Sequence, residues 1–400
     1  MNEEYVSSMF TTRERCYFRN LRKRQRNEII KLFDGKKTNI HNDVPLRLQV
    51  LQCQLGEATK MKIFEDLRHI GNNDKYITWA RKATQIPLDV VYVNSNGKTL
   101  GEKLACARTI MDTEITGHDV AKREVLKILC QLPENNDASY AIGIEGIPGC
   151  GKTHFVKNAL APALGRPYVH LPIGGATDPS FLLGSVFTYE GSKEGRLVGA
   201  LIESKCCNPI IHIDEVDKIP NTEQGLAVEA VLIHLVDTTA PTLRDRYFHG
   251  IDLDFSKCTF VFTYNCADRV NPVLLDRIKR IQMMAPTLSQ RKEIIQKHTV
   301  PRVCKKYGHC MTLSAGALDV IFKYTSKEEG MRNSEKHVEH VLSSANLCRV
   351  LGQGAETVGL HRKVKVFESP FVVAEKFAEE VLRSVKIDEQ QSTPPPNMYI

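Results

Sequence analysis

The stretch "GIPGCGKT", residues 146–153, combines residue types and a spacing suited to holding phosphate. Gly146, four residues, then Gly151, Lys152 and Thr153 fit GxxxxGK[ST], in which glycines let backbone N–H groups close around phosphate oxygens. The lysine reaches the β and γ phosphates, and the Thr153 hydroxyl is placed for Mg²⁺. Gly146, Pro148, Gly149, Cys150, Gly151, Lys152 and Thr153 are therefore the expected phosphate-loop residues. A helix that starts there turns the positive end of its dipole toward the anion. Further on, "NPIIHIDE" ends an apolar run in adjacent acids. Asp214 would hold the Mg²⁺ shell, and Glu215 would polarise a water. Cys150 lies at the entry to the loop's helix, where the dipole favours thiolate and burial opposes it; an inert small residue is the alternative.

These residues need a scaffold that brings strand ends together. "SYAIGIE" before the loop reads as a buried strand, and "HFVKNALAPAL" after it as a helix kinked near Pro162. Between Tyr140 and about Ala285, "AIGIE", "PYVHLPI", "NPIIHID" and "CTFVFTYN" alternate with helical stretches. That alternation implies a parallel sheet covered by helices on both faces. Upstream, "HDVAKREVLKILCQL" places Val120, Val125, Ile128, Leu129 and Leu132 on one helical face, ended by Pro133. After Pro286 the pattern becomes helical, as in a lid. A strand at "RKVKVF" then precedes an amphipathic helix striped by Ala374, Phe377, Ala378, Val381, Leu382 and Val385. The expected division is 1–45, a basic segment and linker; 46–110, a helical region; 111–285, the α/β nucleotide-binding domain; 286–385, a helical lid; and 386–400, a disordered tail.

Composition adds bounds rather than a function. With 42% hydrophobic and 25% charged residues, the 400-residue chain reads as an ordinary globular protein of two or three domains. A net charge of +7 permits nucleic acid or acidic partners without arguing for them. The basic cluster "RNLRKRQRNE", residues 19–28, reads first as a solvated helix face, with a nucleic-acid contact, a localisation signal and a membrane-surface patch as alternatives. No apolar run is long enough to span a bilayer and no secretory leader is evident, so a cytoplasmic or nuclear, unsecreted protein is expected. The twelve cysteines form no CxxC pair, and Cys304, His309 and Cys310 read as packing residues rather than a zinc site.

The motifs together resemble the AAA+ module of the Lon family of ATP-dependent proteases. The likeness runs from about Leu46 to about Val385 and rests on "GIEGIPGCGKT", "ALGRPYVHLPIGGATD", "HIDEVDKI", "NPVLLDR", "KHTVPR" and "YTSKEEGMRN". It implies a P-loop AAA+ sheet flanked by helices, with a C-terminal helical lid and an N-terminal helical segment. ATP and Mg²⁺ are the implied cofactors. Asn265 resembles the residue that orients attacking water, with a helix cap as the alternative. Arg277 resembles the arginine finger inserted into a neighbour's site, and Arg332 a lid arginine that touches phosphate; a surface ion pair is the alternative for each. Thr116, Gly117 and His118 resemble the stretch that packs on adenine. Tyr189, Glu190 and Gly191 resemble the loop that points into a central pore, with Glu190 standing where an apolar residue is usual. An exposed loop tyrosine is the alternative.

The resemblance implies a homo-oligomeric ring or spiral, such as a hexamer, acting on polypeptide. Lon enzymes also carry a protease domain on the order of 200 residues, and no segment here resembles it. Peptide-bond hydrolysis by this chain is therefore not expected. The leading reading is ATP-driven unfolding, translocation or remodelling of polypeptides. A nucleic-acid remodeller and a nucleotide-binding structural subunit are the other two.

Overall fold

The computed structural model describes residues 46–69, 73–91, 99–131, 140–237, 242–325, 329–351 and 371–391, with Arg19 and Lys23. The rest of the basic cluster, the whole of the linker, Leu132, the strand expected at 362–367 and residues 392–400 lie outside the described residues.

The first fully described elements are helices α1 (Leu46–Gln52), α2 (Glu57–His69), α3 (Asp74–Ala83), α4 (Leu100–Glu114) and α5 (Asp119–Gln131). Strand β1 (Tyr140–Gly146), helix α6 (residues 152–164), strand β2 (Tyr168–Pro172), helices α7 (Ser180–Leu183) and α8 (Arg196–Ser204), and strand β3 (Ile210–Asp214) follow. Next come helix α9 (Glu223–Leu235), the antiparallel hairpin of β4 (Thr242–Arg244) and β5 (Asp252–Asp254), β6 (Thr259–Tyr264), helix α10 (Pro272–Arg277) and β7 (Lys279–Met283). Five strands make one parallel sheet in the order β2-β3-β6-β1-β7. Parallel pairing brings every carboxyl end to one edge, where the loop after β1, the acids at the end of β3 and Asn265 after β6 must meet.

Each sheet face has its own core because side chains alternate along a strand. Ile211, Ile213, Phe260 and Phe262 pack with Val50, Leu55, Ile63 and Trp79 of the N-terminal helices and with Leu197 and Leu232. Ile142, Ile144, Val261 and Ile281 point the other way, onto Met111, Val125, Ile128 and Phe155. The first three helices thus share the sheet's core. Trp79 donates its indole N–H to Tyr247 O at 2.7 Å and stacks on Tyr76 at 5.2 Å. Truncating such a residue to alanine costs roughly 3–5 kcal/mol.

The remaining described residues build the lid: α11 (residues 288–307), β8 (Met311–Leu313), α12 (Ala315–Tyr324), α13 (Arg332–Leu351), β9 (Phe371–Val373) and α14 (Glu375–Gln391). Thr287 opens α11 with a capping box to Gln290, satisfying backbone donors that a helix start leaves orphaned. Ile321, Val338, Leu342, Phe377, Val381 and Leu382 form the lid's core. Strands β8 and β9 pair in parallel.

Several expectations are corrected. Val120 is 58% exposed, because the buried stripe of α5 is Ala121, Val125 and Ile128, a set spaced at helical period. The irregularity expected near Pro162 takes the form of a wider turn: α6 passes from Lys152–Phe155 through a π-turn, Val156–Leu160, into Ala161–Leu164. A proline crowds the carbonyl four residues back, and the wider winding makes room. The same device precedes Pro301, where the π-turn Ile295–Thr299 lies inside α11. Helix α14 continues to Gln391, into the segment expected to be a disordered tail. Helix α4 runs through residues 110 and 111, where a boundary was expected. Among the described residues no helix is long and apolar enough to cross a membrane.

Candidate nucleotide site

The loop after β1 folds around its own lysine. Lys152 Nζ donates to Gly146 O at 2.6 Å, Ile147 O at 3.1 Å and Asn265 Oδ1 at 2.8 Å. Burial lowers the Lys152 pKa, opposed by the negative charge of Asp214, Asp217 and Glu215 around it. Gly149 and Gly151 have φ of +78° and +97°, a region that side chains rarely adopt. The loop is gripped from two sides. His118 Nε2 lies 3.1 Å from Cys150 O, and Met331 N donates to Gly149 O at 3.0 Å. A Cβ on Gly330 would stand 2.3 Å from Pro148 O, so only glycine lets the lid approach this closely.

The two acids at the end of β3, Asp214 within the strand and Glu215 just past it, differ from one another. Asp214 Oδ1 accepts from Thr263 Oγ1 at 2.5 Å and from Glu215 N at 2.9 Å. Its Oδ2 accepts from Thr153 Oγ1 at 3.2 Å and lies 3.3 Å from His170 Nε2. Burial alone would raise this carboxyl; the hydrogen bond from Thr263, the neighbouring imidazoles and Thr153 outweigh it and hold the pKa low. A hydroxyl beside a carboxylate is a hard oxygen pair, which suits Mg²⁺, an ion usually bound through one or two protein oxygens with waters and phosphates. Glu215 has φ +63°, a strained setting for a residue with a side chain, and pairs with Lys218. Asn265 receives Lys152 on its side chain, and its N–H donates to Asp217 Oδ2 at 3.1 Å.

Sequence reasoning passed over a buried polar chain beneath Asp214. His212 has no exposure; its Nδ1 lies 2.8 Å from Tyr168 Oη and its Nε2 2.8 Å from Thr263 Oγ1. Burial pulls its pKa down to about 4, so the ring is neutral. A histidine interrupting the apolar run "PIIHID" was the available signal. Cys150 is 4% exposed, and burial pushes its thiol up despite Lys152 and the loop's backbone N–H groups nearby. Cys304 accepts from Met311 N at 3.2 Å, tying α11 to β8.

The other expected residues are spread around this centre. Thr116 Oγ1 meets His298 Nε2 at 3.3 Å beside a cleft of about 430 Å³ bordered by Gly117, Lys122 and Gln290. Arg332 is the exposed first residue of α13, its backbone against Gly149. Arg277 lies at the far end of the sheet: Lys279, just after it, pairs with Ile142, whereas Gly146 pairs with Met283. There Arg277 donates to Asp237 Oδ2 at 2.7 Å. Tyr189 is 70% exposed in a loop whose base is closed by Ser185 N to Lys193 O at 3.0 Å and Gly195 N to Asp245 Oδ2 at 2.8 Å. Glu190 is exposed beside it and Gly191 has φ +77°. Among the described residues no ion pair joins Lys193 to Glu190; Lys82 pairs with Glu194 at 2.5 Å instead.

Comparison with known proteins agrees with this architecture. The profile of the ATPase family associated with various cellular activities (AAA) matches residues 142–285. A Lon protease homolog of Acanthamoeba polyphaga mimivirus is 29% identical over 250 residues, 61% of this chain and 24% of its own length. The Lon protease of Azorhizobium caulinodans is 31% identical over 268 residues, 64% of this chain and 31% of its own. The mitochondrial Lon protease homolog of Mus musculus is 32% identical over 260 residues, 64% of this chain and 27% of its own. This chain therefore spans roughly a quarter to a third of those relatives' lengths. Residues 142–285 are an AAA ATPase domain, in a chain whose distant relatives are Lon proteases.

Proposed function

We propose that this chain hydrolyses ATP to unfold, translocate or otherwise remodel polypeptides, without itself cutting them, as part of a ring or spiral of like subunits. The observation that carries the reading is the meeting of Lys152, Thr153, Asp214 and Asn265 at one strand edge under the start of α13. Lys152 now rests on two loop carbonyls and Asn265, and would turn its ammonium group onto phosphate oxygens. Thr153 and Asp214 would hold Mg²⁺. That ion, when bound, neutralises charge on the phosphates.

Glu215 would polarise the attacking water once it leaves Lys218, and Asn265 would orient that water. Arg332 would reach phosphate from the lid, and Thr116, Gly117 and His118 would pack on the base. Arg277 cannot serve its own site. Four residues of strand separate the level of Ile142 from Gly146, roughly 13 Å at strand rise. It therefore suits a neighbour's nucleotide, which makes turnover depend on head-to-tail assembly. Tyr189 would grip substrate, because an aromatic face contacts side chains and backbone of many sequences. The test is ATP turnover measured in parallel with unfolded protein, folded protein, single-stranded DNA and duplex DNA. Stimulation by unfolded protein is expected; stimulation by DNA alone would replace this reading with nucleic-acid remodelling.

A further inference from the structure

Asp214 ends a hydrogen-bonded chain that crosses three strands. The register sets His170 beside His212 and Asp214 beside Thr263, and alternation then places Tyr168, His212, Thr263 and Asp214 on one face of the sheet. The links are Tyr168 Oη to His212 Nδ1 at 2.8 Å, His212 Nε2 to Thr263 Oγ1 at 2.8 Å, and Thr263 Oγ1 to Asp214 Oδ1 at 2.5 Å.

Counting hydrogens fixes the direction of every link. An ionised carboxylate only accepts, so Thr263 donates to Asp214. Its single hydrogen is then committed, and it must accept from His212, which puts the ring N–H on Nε2. Nδ1 is left bare and accepts from the Tyr168 hydroxyl. A neutral imidazole has one donor and one acceptor, and this chain occupies both. His212 is itself fully buried, so an imidazole there carries a desolvation cost that an aliphatic residue would not.

We propose that His212 is a positioning residue: it holds Thr263 as a donor to Asp214 Oδ1 and so leaves Oδ2, which among the described residues only Thr153 Oγ1 and His170 Nε2 approach, for the Mg²⁺ shell. The proposal rests on the reading of Asp214 as the Mg²⁺-shell carboxylate. Without the histidine, the Thr263 hydroxyl is free to turn toward a backbone carbonyl, and Asp214 Oδ1 keeps, among the described residues, only the backbone N–H of Glu215 to orient it. Loss of such outer partners costs about 10–100-fold in metal affinity in other proteins.

Two measurements on the whole chain decide it. In ¹⁵N-histidine-labelled protein, the signal removed by His212→Gln should report a proton on Nε2 and a bare Nδ1; a proton on Nδ1 alone would overturn the proposal. The second is the Mg²⁺ dependence of binding of a fluorescent ATP analogue, with Tm recorded for each variant. His212→Leu and Thr263→Val should each raise half-saturating Mg²⁺ about tenfold or more, and the double variant should go no further. His212→Gln, whose amide nitrogen can stand in for Nε2, should return to within about threefold of the parent.

A His212→Leu protein with lowered Tm but the parental Mg²⁺ requirement overturns the proposal, as does additivity in the double variant. If His212→Leu does not fold, Thr263→Val and the tautomer decide alone. Asp214→Asn separates the two layers. If it raises the Mg²⁺ requirement while His212→Leu does not, only the histidine's role falls. If it leaves the requirement unchanged, the Mg²⁺ reading of Asp214 falls and the proposal falls with it.

Discussion

The carboxyl edge of the sheet and the loop at 185–195 are built on opposite rules. At the edge, Lys152, Thr153, Asp214, Thr263 and Asn265 bond to one another before any ligand is considered, so each side chain has little freedom left. In the loop, the Tyr189 and Glu190 side chains project into solvent, while the described hydrogen bonds hold the backbone and the base. Phe187, near that base, lies 5.9 Å from the Trp79 ring, which places α3 behind the loop. Order at one region and exposure at the other fits the proposed division, in which a fixed site does the chemistry and an exposed tip meets the polypeptide. Substitutions at the edge should therefore remove hydrolysis, and those at the loop tip should spare it.

The largest effect should come from Glu215→Gln, which keeps ATP binding but slows turnover by about 10²–10⁴-fold, the usual weight of a general base. Retained turnover would move the water-polarising role elsewhere. Arg277→Ala should come next, at about 10³-fold by analogy with other arginine fingers, with ATP binding intact. Mixing it with Lys152→Ala subunits should recover part of the rate; mixtures shown to co-assemble yet remaining dead would exclude a shared site. Lys152→Ala by itself should weaken nucleotide binding by roughly 100-fold, because the ammonium's charge-assisted hydrogen bond to phosphate is removed; titration with a fluorescent analogue measures it. The smallest effect belongs to the loop. Glu190→Ile should shift the preference between substrates differing only in tail charge by about threefold toward the acidic one, since a ring of carboxylates repels like charge. An unchanged ratio would show that Glu190 faces no cargo.

What was legible in the sequence was local. The GxxxxGK[ST] spacing and the acids at Asp214 and Glu215 are neighbours along the chain, and short apolar runs between helical patterns pointed to the parallel sheet. What escaped depends on partners far apart. Trp79 finds Tyr247 across 168 residues, so the docking of the first three helices on the sheet has no local mark. His212 gains its role only when register sets it between Tyr168 and Thr263. Arg277 meets Asp237 across 40 residues, a pairing that spacing does not announce. The π-turns before Pro162 and Pro301 arise because packing on both sides keeps the helix continuous where proline alone would end it. The state of the Cys150 thiol escapes for a related reason: the dipole is legible in the motif, and burial only in the fold.

The central claim, that ATP hydrolysis at the sheet edge drives work on polypeptide through the loop, is tested most directly by Tyr189→Ala. ATP turnover and unfolding of a tagged, folded substrate would be recorded in the same reaction. Turnover within about twofold of the parent, with unfolding abolished, is the expected result, because the substituted side chain lies outside the hydrogen-bonded site. A Tyr189→Ala protein that unfolds the substrate as well as the parent does would contradict the account.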